Sequence, residues 1–302
     1  MKLSDLKISR QLRSKLHNKW MYLCFAVILI LAPALLFGLY IKSAPLFEQN
    51  GFSEVIFSNE WKPLSGKFGF LSFILSSLWV TILALILSVP VCILTSIYLI
   101  YYAKGFVLKI MHPIIDILAG IPSVIYGVWG ILMIVPMVSK DIAPFFGYET
   151  TGFSILSGAI VLAVMIIPFM LNILIEILRT VPEGLIESSL SLGASKWQTI
   201  KFVVVKKALP GIVSSIGLGL SRAFGETIAV LMVVGNVVQN PTNVFDAGYP
   251  LPALIANNYG EMMSIPMYDS ALMLAALILF VIVLIFNILS RILIRRYEIK
   301  VA

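Results

Sequence analysis

Residues 153–178 read FSILSGAIVLAVMIIPFMLNILIEIL, and Glu176 is the only charged side chain among them. A bilayer-spanning helix needs roughly 20 such residues. A buried helix of a soluble domain does not explain so long a run, and it is not alone. Working outward along the chain, five further apolar runs lie near 20–41, 72–100, 110–137, 211–238 and 270–293. Composition agrees: 60% of the 302 residues are hydrophobic and 12% are charged, and the mean hydropathy is +1.00. A soluble domain of this size could not hide that much apolar surface, because its outer layer must be polar. The expected fold class is all-α: a polytopic membrane helical bundle with six transmembrane helices.

The first run follows a basic stretch, Met1 to Lys19, which resembles the start of a signal peptide. The run is too long for a signal-peptide core and has no small-x-small cleavage site, so it reads as an uncleaved first helix.

Lysine and arginine set the orientation. The N-terminal tail carries six, the loop after the second run two (Lys104, Lys109), the loop after the fourth run five, and the C-terminal tail four. The alternate loops carry only Lys42, Lys62, Lys67 and Lys140, and Arg222 falls within a run. A split of 17 to 4 places both termini in the cytoplasm. It also accounts for the net charge of +7 as a topogenic signal, without any nucleic-acid partner.

The extracytoplasmic stretches are acidic or neutral: 43–71 holds Glu48, Glu54, Glu60 and Trp61, and 239–268 holds Asp246 and Glu261. Prolines 241, 250, 252 and 266 with Gly248 and Gly260 make the second stretch irregular. Irregular backbone near a membrane needs protein or a wet cavity beside it. Two readings stay open, a lining of the outer mouth of a pathway or a plain surface loop. Cys24 and Cys92 lie in apolar runs and read as small buried hydrophobes; His17 and His112 are too far apart in sequence to suggest a metal site.

The longest cytoplasmic stretch, residues 179–212, reads RTVPEGLIESSLSLGASKWQTIKFVVVKKALPGI. Pro182 and Glu183 suit the first turn of a helix that runs past Leu185, Glu187 and Leu190 and stops at Gly193. A second amphipathic segment starts at Ser195, with Trp197, Ile200 and Val204 on one side. Leu209-Pro210-Gly211 then breaks into the fifth span. Such a helix–turn–helix at the membrane surface offers Leu185, Leu192 and Trp197 to a partner's groove; an ordinary interfacial linker is the plainer alternative.

Three charged residues fall within the expected spans and away from their ends: Asp116, Arg222 and Glu226. A charge at the bilayer centre costs about 3 kcal/mol on insertion scales, so each needs a partner or water. Asp116 is close enough to the cytoplasmic end of its helix for Lys109 or water to reach it. Arg222 and Glu226 stand at i and i+4, on one helix face. Gly217, Ser221 and Gly225 form a small-residue stripe on the adjoining face, where another helix can approach closely. The pair reads either as a translocation-pathway element or as two charges that neutralise each other. An arginine fork grips two oxygens of an oxyanion, and Glu226 would moderate that grip.

Glu187-Ser188-Ser189, Gly193, Ile200 and Leu209-Pro210 resemble the EAA loop of ABC importer permeases, with Ser-Ser in place of Ala-Ala. In that family the loop docks in a cleft of the ATP-hydrolysing subunit, which implies a coupling role for Leu185, Glu187, Ser188, Ser189, Leu192, Gly193 and Ala194. Ser221-Arg222-Ala223-Phe224-Gly225-Glu226-Thr227-Ile228-Ala229-Val230 is similar to a segment of the phosphate-specific transport permeases. Ala119-Gly120-Ile121-Pro122-Ser123-Val124-Ile125-Tyr126-Gly127 is similar to a second such segment, and Trp61 and Pro63 fit the outer loop of the same family. The details point to its C-type subunit. Residues 71–77, LSFILSS, depart from the family's usual Leu-Pro and Gly-Thr, which leaves packing at the outer end of the second span open.

The resemblance covers roughly 60–295 and implies the type I ABC importer permease fold. Together with the apolar runs it gives the expected organisation: a tail at 1–19, a first helix at 20–41, an extracytoplasmic loop at 42–71, a permease core at 72–295 with its coupling loop at 179–210, and a tail at 296–302. It also implies phosphate as cargo, a pathway past Arg222, Glu226 and Thr227, and residence in a bacterial inner membrane. The implied partners are an A-type permease, an ABC ATPase dimer and an extracytoplasmic phosphate-binding protein, besides lipid. No phosphate-binding Walker loop is present; the nearest fragment, Ser65-Gly66-Lys67-Phe68, lacks its Ser/Thr. The chain is therefore expected not to be an enzyme and to bind no cofactor, with ATP and Mg used by the partner ATPase. A permease for sulfate or molybdate, or a stand-alone secondary transporter, are the alternatives.

Overall fold

Prolines decide where several of the helices stop, and the exceptions are as informative as the stops. The computed structural model describes residues 10–49, 51–262, 265 and 267–301. The first part of the basic tail, with Lys2 and Lys7, lies outside the described residues, as does Pro266. Among the described residues, six helices are long and apolar enough to cross a membrane, as the six runs predict. They are joined by shorter elements: α1 (Arg10–Gln49), α2 (Phe52–Phe57), the hairpin β1 (Trp61–Lys62) and β2 (Lys67–Phe68), and α3 (Leu71–Tyr102). Then come α4 (Gly105–Gly120), α5 (Ser123–Phe145), α6 (Ile155–Arg179) and α7 (Glu183–Ser191). The chain ends with α8 (Lys196–Gly225), α9 (Ile228–Leu231), α10 (Leu251–Asn258) and α11 (Tyr268–Val301).

Two runs differ from expectation. The third does not span 110–137 as one helix. Pro122 has no N–H and forces Ile121 out of the helical region (φ −66°, ψ 128°), so α4 stops at Gly120 and a new helix starts at Ser123. The Tyr126 hydroxyl bridges the break by donating to the Leu118 carbonyl at 2.9 Å. Within α5, wide π turns at Gly130–Ile134 and Val138–Ile142 precede Pro136 and Pro144, and keep the helix going past both rings.

The fifth run begins earlier and ends sooner than expected. Leu209-Pro210-Gly211 is no break: α8 passes through it, and Gly211 lies flat against Ile177 of α6, where a Cβ would come within 2.5 Å of a methyl group. Helix interiors in membranes tolerate such prolines because neighbours re-satisfy the freed carbonyl. α8 stops instead at Gly225, thirteen residues short of the expected end.

The main core lies between α3, α6 and α8, where Ala84, Cys92, Leu162, Ile166, Leu174, Ile200 and Val204 are nearly or fully buried. Cys24, by contrast, is exposed on α1, so only Cys92 is a buried cysteine. At the β-hairpin end, Trp61 stands edge-on to Phe68, Phe70, Phe73 and Tyr268, and with α2 and α10 this cluster caps the bundle. Between Lys15 and Gly38 every residue of α1 is exposed, Ile28 at 73%, which is the surface lipid requires.

The stretch after α9 is not a plain surface loop. Gly235 bridges Gly248, and Asp246 holds its own turn by accepting from the Thr242 and Asn243 amides at 2.9 Å. The Ser76 and Ser77 hydroxyls of α3 accept from the Tyr249 and Leu251 amides at 3.1 and 2.8 Å. Each hydroxyl also donates back into its own helix. Ser72 donates to Asn240. Ser72, Ser76 and Ser77 thus fasten the irregular backbone to the bundle, where an unpaired amide would cost a few kcal/mol.

Candidate translocation site and coupling hairpin

Arg222 lies in the last turn of α8, and its guanidinium carbon sits 4.7 Å from the centroid of the Phe169 ring on α6. The side chain is exposed in this chain. The i, i+4 arrangement expected with Glu226 is not found. Glu226 follows the end of α8 with an extended backbone (φ −75°, ψ 126°), so the two residues no longer share a helix face. Gly225, the last residue of α8, has open space where a Cβ would be. Among the described residues, the ion pairs are Lys67–Glu60 and Arg179–Glu176; none involves Arg222.

Glu226 has another task. Its Oε1 accepts from the Ala229 amide at 3.2 Å, in the first turn of α9, where a carboxylate is favoured. It also borders a narrow crevice with Ser77, Thr81, Pro250 and Pro252. Thr227 occupies the N-cap position of α9 but faces back, its hydroxyl 3.4 Å from the Gly225 carbonyl. The structure therefore places Arg222, Glu226 and Thr227 at one helix break, with separate partners. The second break is close by: α9 packs on the start of α5, Gly127 leaves room for Met232, and Arg222 is within electrostatic reach of the Tyr126 hydroxyl.

The small-residue stripe finds its helix within the chain. Gly217 meets Ser290 of α11, and Ser221 exchanges hydrogen bonds with Asn287 at 3.1 and 2.9 Å. Gly225, third in the stripe, faces open space. Neither Phe169 nor Asn287 was singled out by sequence reasoning. A lone Phe in an apolar run carries no signal, whereas an Asn inside a transmembrane run is a polar residue in need of a partner and could have been noticed.

At the opposite end of the bundle, α7 and the start of α8 form the expected helical hairpin. Gly193 at φ +84° closes α7, with its amide on the Leu190 carbonyl and that of Ala194 on Ser189, a Schellman stop. Ser195 and Gln198 form a reciprocal capping box that starts α8. The Ser189 and Thr199 hydroxyls meet at 3.0 Å between the two arms. Ser188 donates to the Gly184 carbonyl, so both serines in place of alanines are occupied. Leu185, Leu192 and Trp197 are 41%, 88% and 50% exposed, an apolar set with nothing over it in this chain. Glu187 and Glu183 border an open groove of about 390 Å³ that reaches Tyr101 and Arg179.

Asp116 lies on α4, outside the six candidate spans, and accepts from Asn172 of α6 at 3.0 Å. One turn away, Arg179 donates to His112 Nε2 at 2.7 Å, which leaves the histidine's proton on Nδ1. These contacts tie α4 to α6 next to the hairpin. Among the described residues, no group of three His, Cys, Asp or Glu side chains is placed to hold a metal.

Known proteins share this architecture. An alginate ABC transporter crystallised with its alginate-bound periplasmic protein contains a chain that matches at TM-score 0.63, with 95% of this chain and 98% of that one covered at 16% identity. An inward-facing MetNI methionine ABC transporter chain matches at 0.53, with 74% and 91% covered at 20% identity. Among curated relatives, a probable ABC transporter permease protein, YqgH of Bacillus subtilis, is 35% identical over 89% of this chain and 86% of its own length. The phosphate transport system permease protein PstC of Xylella fastidiosa is 34% identical over 81% and 79%. A probable PstC of Methanocaldococcus jannaschii is 30% identical over 98% of both. Residues 89–299 match the family model of the binding-protein-dependent transport system inner membrane component. Six apolar helices, the helical hairpin and these matches together make the chain a multi-pass membrane permease with the type I ABC importer fold, and it belongs to the binding-protein-dependent transport system inner membrane component family.

Proposed function

We propose that this chain is the permease subunit of an ATP-driven importer that carries inorganic phosphate across the bacterial cytoplasmic membrane. The observation that supports this best is Arg222: a fixed cation within a membrane-crossing helix, at a helix break, with no carboxylate paired to it among the described residues. An arginine fork suits two oxygens of a phosphate, and an unpaired one attracts an anion into a low-dielectric passage. Two of the relatives described above, those of Xylella fastidiosa and Methanocaldococcus jannaschii, are named for phosphate transport and point to the same cargo.

In this reading the basic end of the bundle faces the cytoplasm, with both termini, as the lysine and arginine split requires. The hairpin around Glu187 and Gly193 docks on a separate ABC ATPase, a dimer that uses ATP and Mg; this chain binds no cofactor itself. A homologous A-type permease completes the pathway beside Arg222, Glu226 and Thr227. A phosphate-binding protein docks on the outer cap around Trp61. Closure of the ATPase dimer pushes α7 and rocks the helices that continue from it.

The test is uptake of labelled phosphate by the assembled complex. Arg222→Gln is expected to abolish uptake while assembly and ATPase activity persist, and near-normal uptake would sink the pathway role. Excess unlabelled phosphate should compete; competition by sulfate or molybdate at equal concentration would redirect the reading to another oxyanion.

A further inference from the structure

The Arg222 guanidinium is held by something other than an acid. Among the described residues, its side chain makes no ion pair, and its contact is the face of the Phe169 ring at 4.7 Å. Phe169 is itself fixed, since it is half-buried and packs against the main core next to Pro168 of α6. The same side chain packs on the core and receives the cation. Glu226, the nearest acid in sequence, is turned away to the Ala229 amide.

We infer that Phe169 is the positioning residue that sets Arg222 for anion transfer. The inference rests on the phosphate-import reading above. A carboxylate partner would neutralise the guanidinium and occupy two of its five N–H donors. An aromatic face attracts the cation through its quadrupole, consumes no donor and leaves the net charge in place. It also fixes the plane of the fork, so its N–H edge stays open to the oxygens of a passing anion. A weak, non-neutralising hold suits a transfer point, where an anion must leave as readily as it arrives.

The experiment uses the full complex with its ATPase and binding protein, reconstituted in vesicles. It compares Phe169→Leu, Phe169→Met, Phe169→Tyr and Arg222→Gln by maximal labelled-phosphate uptake and by ATPase stimulation. Loss of the ring is expected to lower maximal uptake by about tenfold in Phe169→Leu and Phe169→Met, with assembly and stimulated ATPase activity retained. Phe169→Tyr, which keeps the ring face, should retain at least half of the uptake. Equal impairment of the Tyr and Leu variants would overturn the inference, because it would reduce Phe169 to core packing. Wild-type uptake in both Leu and Met variants, with Arg222→Gln inactive, would also overturn it while leaving the phosphate reading standing. Near-normal uptake by Arg222→Gln would overturn that reading itself.

Discussion

The hydroxyls of Ser189 and Thr199 lie 3.0 Å apart and join the two arms of the hairpin between α6 and α8. Thr199 is buried, and the bond ties α7 to the first turn of a 30-residue helix that ends at Arg222 and Gly225. A push on α7 therefore reaches the helix break through one continuous rod. Ser189→Ala should loosen that joint by about 1 kcal/mol, the net worth of a typical hydrogen bond. The expected outcome is intact assembly with phosphate uptake reduced several-fold per ATP hydrolysed, measured as the ratio of the two rates.

Gly193 closes α7 at φ +84° with open space around its missing Cβ. A substitution there suffers backbone strain and no clash. Gly193→Ala is expected to cost about 1 kcal/mol and Gly193→Val more, because β-branching disfavours the left-handed region further. Thermal unfolding of the purified complex checks the order of the two.

Gly217 and Ser221 bring α8 against α11, and a Cβ on Gly217 would stand 2.8 Å from the Ser290 hydroxyl. Gly217→Leu should separate the helices and lower the yield of folded protein sharply. Ser221→Ala removes one partner of Asn287, which still donates to the Val283 carbonyl. Its cost should stay near 0.6 kcal/mol, as for other hydrogen bonds between membrane helices.

Glu226 and Arg222 have separate partners, so their substitutions should be independent. In a double-mutant cycle on thermal stability, Arg222→Gln and Glu226→Gln are expected to add within about 0.5 kcal/mol. A larger coupling would mean that the two charges pair after all. Glu226→Gln keeps an acceptor for the Ala229 amide and should be milder than Glu226→Ala.

At the hairpin end, Lys67 bonds Glu60 at 2.7 Å. That hydrogen bond and the Lys67 charge hold the Glu60 carboxyl below its ordinary range, and Lys67 is raised in return. A lowered carboxyl contributes stability above its unfolded-state titration and loses it as pH falls through the folded one. The contribution is small because both groups are exposed. In a variant with Trp61 as its single tryptophan, acidification through and below the ordinary carboxylate range should loosen the ring cluster and shift the emission. Glu60→Gln should remove that step.

Much of this fold is legible in the sequence because lipid demands length and apolarity, which composition records directly. The run at 153–178 is a helix at nearly the expected bounds, and the run at 270–293 is a helix that continues to Val301. The stops were harder. Pro122 ends a helix while Pro210 does not: the backbone at Ile121 is extended, whereas the helix through Pro210 is pressed on Ile177 at Gly211. The hairpin residues 183–195 were readable because glycine, serine and glutamine at those positions have local meanings. The site was only half readable. Spacing on an ideal helix paired Arg222 with Glu226, but the helix ends between them, and the ring that receives the cation comes from 53 residues away.

The first helix stands apart. Exposed from Lys15 to Gly38, it meets the bundle chiefly along α11 and at its far end, where Leu46 is fully enclosed in the aromatic cap. It acts as a mooring line: it fastens the cap to the bilayer and carries little of the weight. A rocking of α6 and α8 need not drag a sixth packed rod along, so the moving mass is smaller than the count of six spans suggests.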